Sequence, residues 1–152
     1  ECLLFESFTN VVLTSSAPYV PPTLDDDTYH QPEPPADGTG LLDGRGGRWW
    51  GVPGIGYLVR GENRPRLLRL TDPTNVIVEH LYFKDSPYWT FLSDNSHGLE
   101  IRYSTISAAR TPLEKHDLVD MTAFNTDGFD VTGKNVWVHD VEVWNQDDCV
   151  AV

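Results

Sequence analysis

From Arg66 onward, short apolar runs alternate with clusters of turn formers, and the runs keep step with one another. Leu67-Leu68-Arg69-Leu70 leads into Asp72-Pro73-Thr74-Asn75; Val76-Ile77-Val78 and Leu81-Tyr82-Phe83 follow, and Asp85-Ser86-Pro87 closes the set. β-Rich runs of this length, with no helical period, predict strands separated by turns. Three segments align with one another: Val76 to Phe83, Leu99 to Ile106 and Val136 to Val143. Their first, third and eighth places are aliphatic or aromatic throughout, and only Ser104 interrupts the sixth. Val76 to Leu99 is 23 positions and Leu99 to Val136 is 37, so one turn of the repeat carries an insertion, assigned to Arg110 through Met121. Leu68 to Thr90 adds an offset of 22. Strands that recur after one coil, without crossover helices, predict an all-β parallel β-helix, a solenoid whose coils stack about 4.8 Å apart over a continuous core. An antiparallel sandwich has strands of similar length, but its hairpins have no reason to keep a constant offset.

The same reading covers the rest of the chain. Leu3-Leu4-Phe5 and Asn10-Val11-Val12-Leu13 predict a strand, a bend and a second strand. Between Ala17 and Gly40, prolines alternate with acids, from Pro18 to Pro35 and from Asp25 to Asp37. Proline offers no ladder donor and like charges repel, so 17–40 is expected to be an acidic loop inserted into a single β-helix domain over 1–152. The spacing and turn glycine of a calcium loop are absent there. Gly40 to Gly56 is glycine-rich and contains Trp49-Trp50; without a helix to follow it, it reads as tight turns packed by aromatics and not as a phosphate cradle.

Composition narrows the classes. With 152 residues and 39% hydrophobic content, the chain supports one modest core. A formal net charge of −12 argues against nucleic acid, although a local basic patch can still meet a polyanionic ligand. No stretch is long and apolar enough for a bilayer, and no basic-then-apolar leader opens the chain. Cys2 and Cys149 are too few for a disulfide framework and lack neighbours at zinc-ligand spacing. They could pair with each other, remain free, or pair outside this chain.

The chemistry concentrates in two runs, Asn125-Thr126-Asp127-Gly128-Phe129-Asp130 and Asn145-Gln146-Asp147-Asp148-Cys149. From Asp127 to Asp148 is 21 positions, and Phe129 to Val150 and Val131 to Val152 keep that offset. One coil apart on a solenoid, Asp127 and Asp148 are expected side by side with Asp147 adjoining. Carboxylates that close raise the pKa of at least one member, which gives the protonated acid and ionised base that glycosidic hydrolysis needs. Metal ligation and simple turn formation are the competing uses. Adjacent Asp147 and Asp148 would face opposite ways in a regular strand, so at least one is expected at a bend.

On these residues the chain resembles the polygalacturonase family of pectin-degrading enzymes, glycoside hydrolase family 28. Asn125 to Asp130 and Gln146-Asp147-Asp148-Cys149 look like its two aspartate motifs, with weaker landmarks at Gly40 to Trp50 and Arg64-Pro65-Arg66-Leu67-Leu68. The resemblance implies a right-handed parallel β-helix that hydrolyses α-1,4-galacturonan, or a related pectic polymer, with inversion. It implies catalytic Asp127, Asp147 and Asp148, with Asp147 as general acid and the other two holding the attacking water, and substrate contacts from Asn125 and Gln146. No cofactor or metal, no nucleic acid and no membrane are implied, and the setting is secreted, at the cell wall. The family's later histidine and Arg/Lys motifs, and the partner of Cys149, would lie beyond Val152; Ser96-His97-Gly98 precedes the first aspartate motif and reads as a coil turn. Both ends therefore read as cut, the terminal coil is expected to leave an edge for another chain, and the segment alone is expected to be inactive. A non-catalytic structural or carbohydrate-binding β-helix is the alternative.

Overall fold

A computed structural model describes residues 1–18, 21, 31–50, 63–108 and 123–152. Eleven strands are described: β1 (Leu3–Glu6), β2 (Thr9–Leu13), β3 (Leu41–Asp43), β4 (Leu68–Thr71), β5 (Thr74–Glu79), β6 (Tyr82–Lys84), β7 (Phe91–Arg102), β8 (Ser104–Ser107), β9 (Phe129–Val138), β10 (Val141–Trp144) and β11 (Val150–Ala151). A single turn of 3-10 helix spans Gly46–Arg48.

Every pairing among the described residues is parallel, and the strands form three columns. Column one stacks β1, β4, the first half of β7, the first half of β9, and β11; column two stacks β2, β5 and the second halves of β7 and β9; column three stacks β3, β6, β8 and β10. This is the parallel β-helix the repeat predicts. The three aligned segments stack in the expected register: Val76 on Leu99 on Val136, Val78 on Ile101 on Val138, and Phe83 on Ile106 on Val143. Ser104 holds its place facing the core because its hydroxyl accepts from the Leu81 amide at 3.3 Å and donates to the Arg102 carbonyl at 2.9 Å.

One register differs. Leu68 pairs with Phe91 and not Thr90, so this coil also has a length of 23; the Leu68 amide bonds the Thr90 carbonyl at 3.0 Å, one residue back, as the slanted bonds of a parallel ladder require. Ser96-His97-Gly98 lies inside β7 and not between strands, at a break in its pairing with β9 between Ser93 and Ser96. The stretch assigned as an insertion, 110–121, lies outside the described residues.

The corners explain the turn formers. Asn10, Asn75, Gly98 and Asn135 stand in successive coils with φ of 58°, 51°, 74° and 56°, a left-handed conformation that Asn and Gly adopt at little cost. Asn75 Nδ2 donates to Asn10 Oδ1 at 3.2 Å, tying two coils together. A second left-handed row, Ser7, Asp72 and Asn95, is joined by Asn95 Nδ2 to Asp72 Oδ1 at 2.6 Å. At the corner after column two, the rings of His80 and Tyr103 stack at 5.4 Å.

Phe83, Phe91 and Phe129 lie fully buried at the centre, with ring centroids 5.6 to 6.5 Å apart. Trp50 packs over Gly46, where a Cβ would stand 2.4 Å from the indole, as the glycine-rich stretch suggested. Of the acidic Pro-rich segment, Gln31 donates to the Ser107 hydroxyl at 2.8 Å and the Tyr82 hydroxyl donates to the Pro32 carbonyl. Trp137, 62% exposed, stacks on His139 at 3.9 Å.

Candidate functional site

Both aspartate runs lie in the connections by which column three returns to column one. Asp127 precedes β9, and Asp147 and Asp148 lie in the bend before β11, so the expected departure from strand geometry holds for both. The register places Asp127 beside Asp148: the Phe129 amide bonds the Cys149 carbonyl at 3.0 Å and the Gly128 amide bonds the Asp148 carbonyl at 2.8 Å. One carboxylate oxygen from each of Asp127, Asp147 and Asp148 lies within 4.8 Å of the others. That spacing would also admit a single ion.

Hydrogen bonds between the coils fix the arrangement. Asn125, left-handed at φ 57°, directs its amide to Asp147 Oδ2 at 3.1 Å, and the Asp148 amide donates to Asp147 Oδ1 at 2.9 Å. The Gln146 amide donates to the buried Thr126 hydroxyl at 3.1 Å. Asn145 Nδ2 donates to the Thr126 carbonyl at 3.1 Å and the Asp148 carbonyl at 2.9 Å, clamping one run to the other. Gly128 makes the approach possible: a Cβ there would stand 2.3 Å from the Cys149 oxygen. Arg64, buried, donates to the Phe124 carbonyl at 2.8 Å, next to the first run.

The three acids differ in surroundings. Asp147 and Asp148 are exposed, whereas Asp127 is only 7% exposed and its Oδ1 has no hydrogen-bond partner. Burial, followed by the charges of Asp147 and Asp148, pushes the Asp127 carboxyl up to about 6. Desolvation thus outranks the like-charge crowding expected from sequence. Simple turn formation accounts for part of Asp147, which accepts the amide of its neighbour, but not for the unpartnered oxygen of Asp127.

Asp130, which closes the first aspartate run, joins them. It is 8% exposed, its Oδ2 has no partner, and burial with the charges of Asp127 and Asp148 pushes it up to about 7. Four carboxyls therefore crowd one surface. Cys149 Sγ lies 3.8 Å from Asn145 Oδ1, and Cys2 and Cys149 are both free and exposed. Among the described residues no helix is long and apolar enough to cross a membrane.

Comparison with known proteins gives the site a context. Rhamnogalacturonase A of Aspergillus niger is 36% identical over 104 residues, covering 66% of this chain and 21% of that protein. Rhamnogalacturonase A of Aspergillus aculeatus is 36% identical over 103 residues, with the same coverages of 66% and 21%. A protein named "Probable endopolygalacturonase C" from Aspergillus niger is 35% identical over 115 residues, covering 74% of this chain and 27% of its own length. The chain thus spans about a fifth to a quarter of these relatives. No solved structure matches it at comparable significance. The family model described as glycosyl hydrolases family 28 matches residues 33–152, a span that includes every carboxylate of the site, and the chain belongs to that family.

Proposed function

We propose that the protein carrying this chain hydrolyses the uronic-acid backbone of pectin outside the cell, with α-1,4-linked galacturonan as the substrate. The observation that carries the reading is the convergence of Asp127, Asp147 and Asp148 from successive coils to within 4.8 Å. Asp147, open to solvent and oriented by the Asn125 amide, reaches the leaving oxygen as general acid. Asp127 and Asp148 hold the attacking water, and burial makes Asp127 a stronger base than an ordinary carboxylate. Asn125 and Gln146 border the acids and contact the sugar. The spacing is shorter than the roughly 6.5–9.5 Å usual for an inverting pair. A third carboxylate gives the water a second holder, and on that ground, together with the family resemblance, we assign inversion.

The test is reducing-end release from polygalacturonate and from rhamnogalacturonan by the full-length protein and its Asp147→Asn variant, with proton NMR of the first-formed anomer. Loss of about 10²-fold or more in kcat is expected for the variant. Equal turnover by both would refute the acid assignment, and a retained anomer would refute the water.

A further inference from the structure

The hydrogen bonds of column one continue the register two residues ahead of the strands. The Cys2 amide bonds the Arg66 carbonyl, Leu67 bonds Trp89, Thr90 bonds Asp127 and Gly128 bonds Asp148, at 2.8 to 3.1 Å. Glu1, Arg66, Trp89, Asp127 and Asp148 therefore occupy one row along the helix axis, one per coil. Beside it runs a second row, Leu4, Arg69, Leu92, Asp130 and Ala151. Read together, the rows are basic at Arg66 and Arg69, apolar at Trp89 and Leu92, and acidic from Asp127 onward. The surface has a direction.

At its basic end, two guanidinium groups already hold a carboxylate. Glu1 Oε1 lies 3.3 Å from Arg66 Nη1 and 3.2 Å from Arg69 Nη1. Each arginine is fixed by other contacts: Arg69 pairs with Asp94 at 2.8 Å, and Arg66 lies 4.6 Å over the Trp89 ring and 5.5 Å over Tyr88. Both side chains are about a third exposed, at 29% and 34%, so solvent and ligand reach them. The Arg66 Nε has no acceptor. Arginines held by stacking and ion pairing lose little freedom on binding a carboxylate.

We propose that Arg66 and Arg69 form a carboxylate-binding subsite for a uronic-acid residue remote from the scissile bond, and that Glu1 stands in for that carboxylate in the ligand-free protein. The position lies two coils from Asp127, about 10 Å along the axis at a coil spacing of about 4.8 Å. It rests on the hydrolase reading for its substrate, but its chemistry, a guanidinium pair for a sugar carboxylate, is separate from the acids that cleave. A polymer lying along the rows would pass Trp89 and Leu92 between grip and cleavage point.

The experiment uses the full-length protein with Arg66→Gln, which keeps the Arg69–Asp94 pair, and Glu1→Gln, which keeps both arginines. Two quantities are read: retention on immobilised polygalacturonate against a fully methyl-esterified gel, and KM on unesterified polymer and on shorter oligogalacturonides. Arg66→Gln is expected to raise KM about tenfold on the polymer, with the defect shrinking as the substrate shortens, and to lose retention selectively on the unesterified gel. Glu1→Gln is expected to shift both in the opposite direction, because it removes the competitor. Unchanged retention and KM in both variants would show an internal ion pair only and overturn the proposal. A protein that releases no reducing ends yet is retained through Arg66 would refute the hydrolase reading and leave the subsite standing.

Discussion

Replacing Gly128 with alanine tests the central geometric claim, that the acids meet because one coil presses on the next. An added Cβ would stand 2.3 Å from the Cys149 carbonyl oxygen and 2.9 Å from Val143 Cγ1, while real Cβ atoms essentially never come within 3.0 Å of such neighbours. The Cys149 carbonyl is backbone and receives the Phe129 amide, so it cannot rotate away as a side chain could. The loop carrying Asp147 and Asp148 must therefore retreat by about 0.7 Å, the difference between 3.0 and 2.3 Å, or the Gly128 coil must move back against the preceding coil, where its carbonyl already accepts the Phe91 amide at 3.0 Å. Outward movement stretches two inter-coil hydrogen bonds, each worth about 1 kcal/mol, and overpacking of this kind costs about 1–3 kcal/mol.

The larger effect falls on activity. A misplacement approaching 1 Å can cost roughly 10²-fold in rate. Gly128→Ala is thus expected to lose about 10- to 100-fold in kcat on polygalacturonate while the fold survives with a lowered unfolding midpoint. Gly47→Ala serves as the control, since nothing lies within 4 Å of a Cβ at that position. Wild-type kcat in Gly128→Ala, with the control also unchanged, would refute the reasoning that coil-to-coil approach sets the carboxylate geometry.

Other outcomes follow from the same contacts. Asp130→Asn should change stability in a pH-dependent way. The carboxyl is raised from 3.8 to about 7 mainly by burial, so the folded state holds its proton where the unfolded chain has lost it, and stability falls as pH rises from about 4 through 7. The rise from 3.8 to about 7 sets a ceiling of about 4 kcal/mol on the advantage the neutral variant gains between pH 4 and pH 8; guanidinium unfolding that shows a pH-independent difference would contradict it. Asn145→Ala removes donors to the Thr126 and Asp148 carbonyls and should lower stability by about 1–2 kcal/mol, with a fall in kcat exceeding any change in KM. Unaltered kcat would mean that the clamp does not position Asp148.

How far the sequence carries depends on whether an element is fixed by its own pattern or by its neighbours. Val76, Leu99 and Val136 could be aligned because each is inward-facing and apolar, and an error of one residue would turn every side chain to the wrong face. Leu68 was less constrained: Thr90 and Phe91 are both buried, so composition allows an offset of 22 or 23, and the ladder selects the second. The aspartate pair was legible because Asp127 and Asp148 keep the offset of Phe129 and Val150. Asp130 was not, because an acid on the outward side of a strand is ordinarily solvated, and nothing local signals its burial. Arg66 could have been found by extending the register backwards from Leu68 through Phe91 to Phe129, which lines it up with Trp89 and Asp127.

The same geometry explains why chemistry and length variation share one corner. The connections from column three to column one run over 44–67, 85–90, 108–128 and 145–149, and their lengths differ widely although the strands on either side stay in register. A β-helix tolerates this because a residue outside the ladder leaves the stacked core untouched, whereas an extra residue within a strand would invert its faces. Arg64, Arg66, Trp89, Asp127, Asp147 and Asp148 all lie in these connections. The adjoining strand faces add Arg69 and Asp130, so the ladder fixes the floor while the connections bring in the reactive groups. Substrate choice along this surface is then a property of the connections, and exchanging 85–90, which carries Trp89 between the arginines and the acids, should alter which uronan is bound without moving Asp127 relative to Asp148.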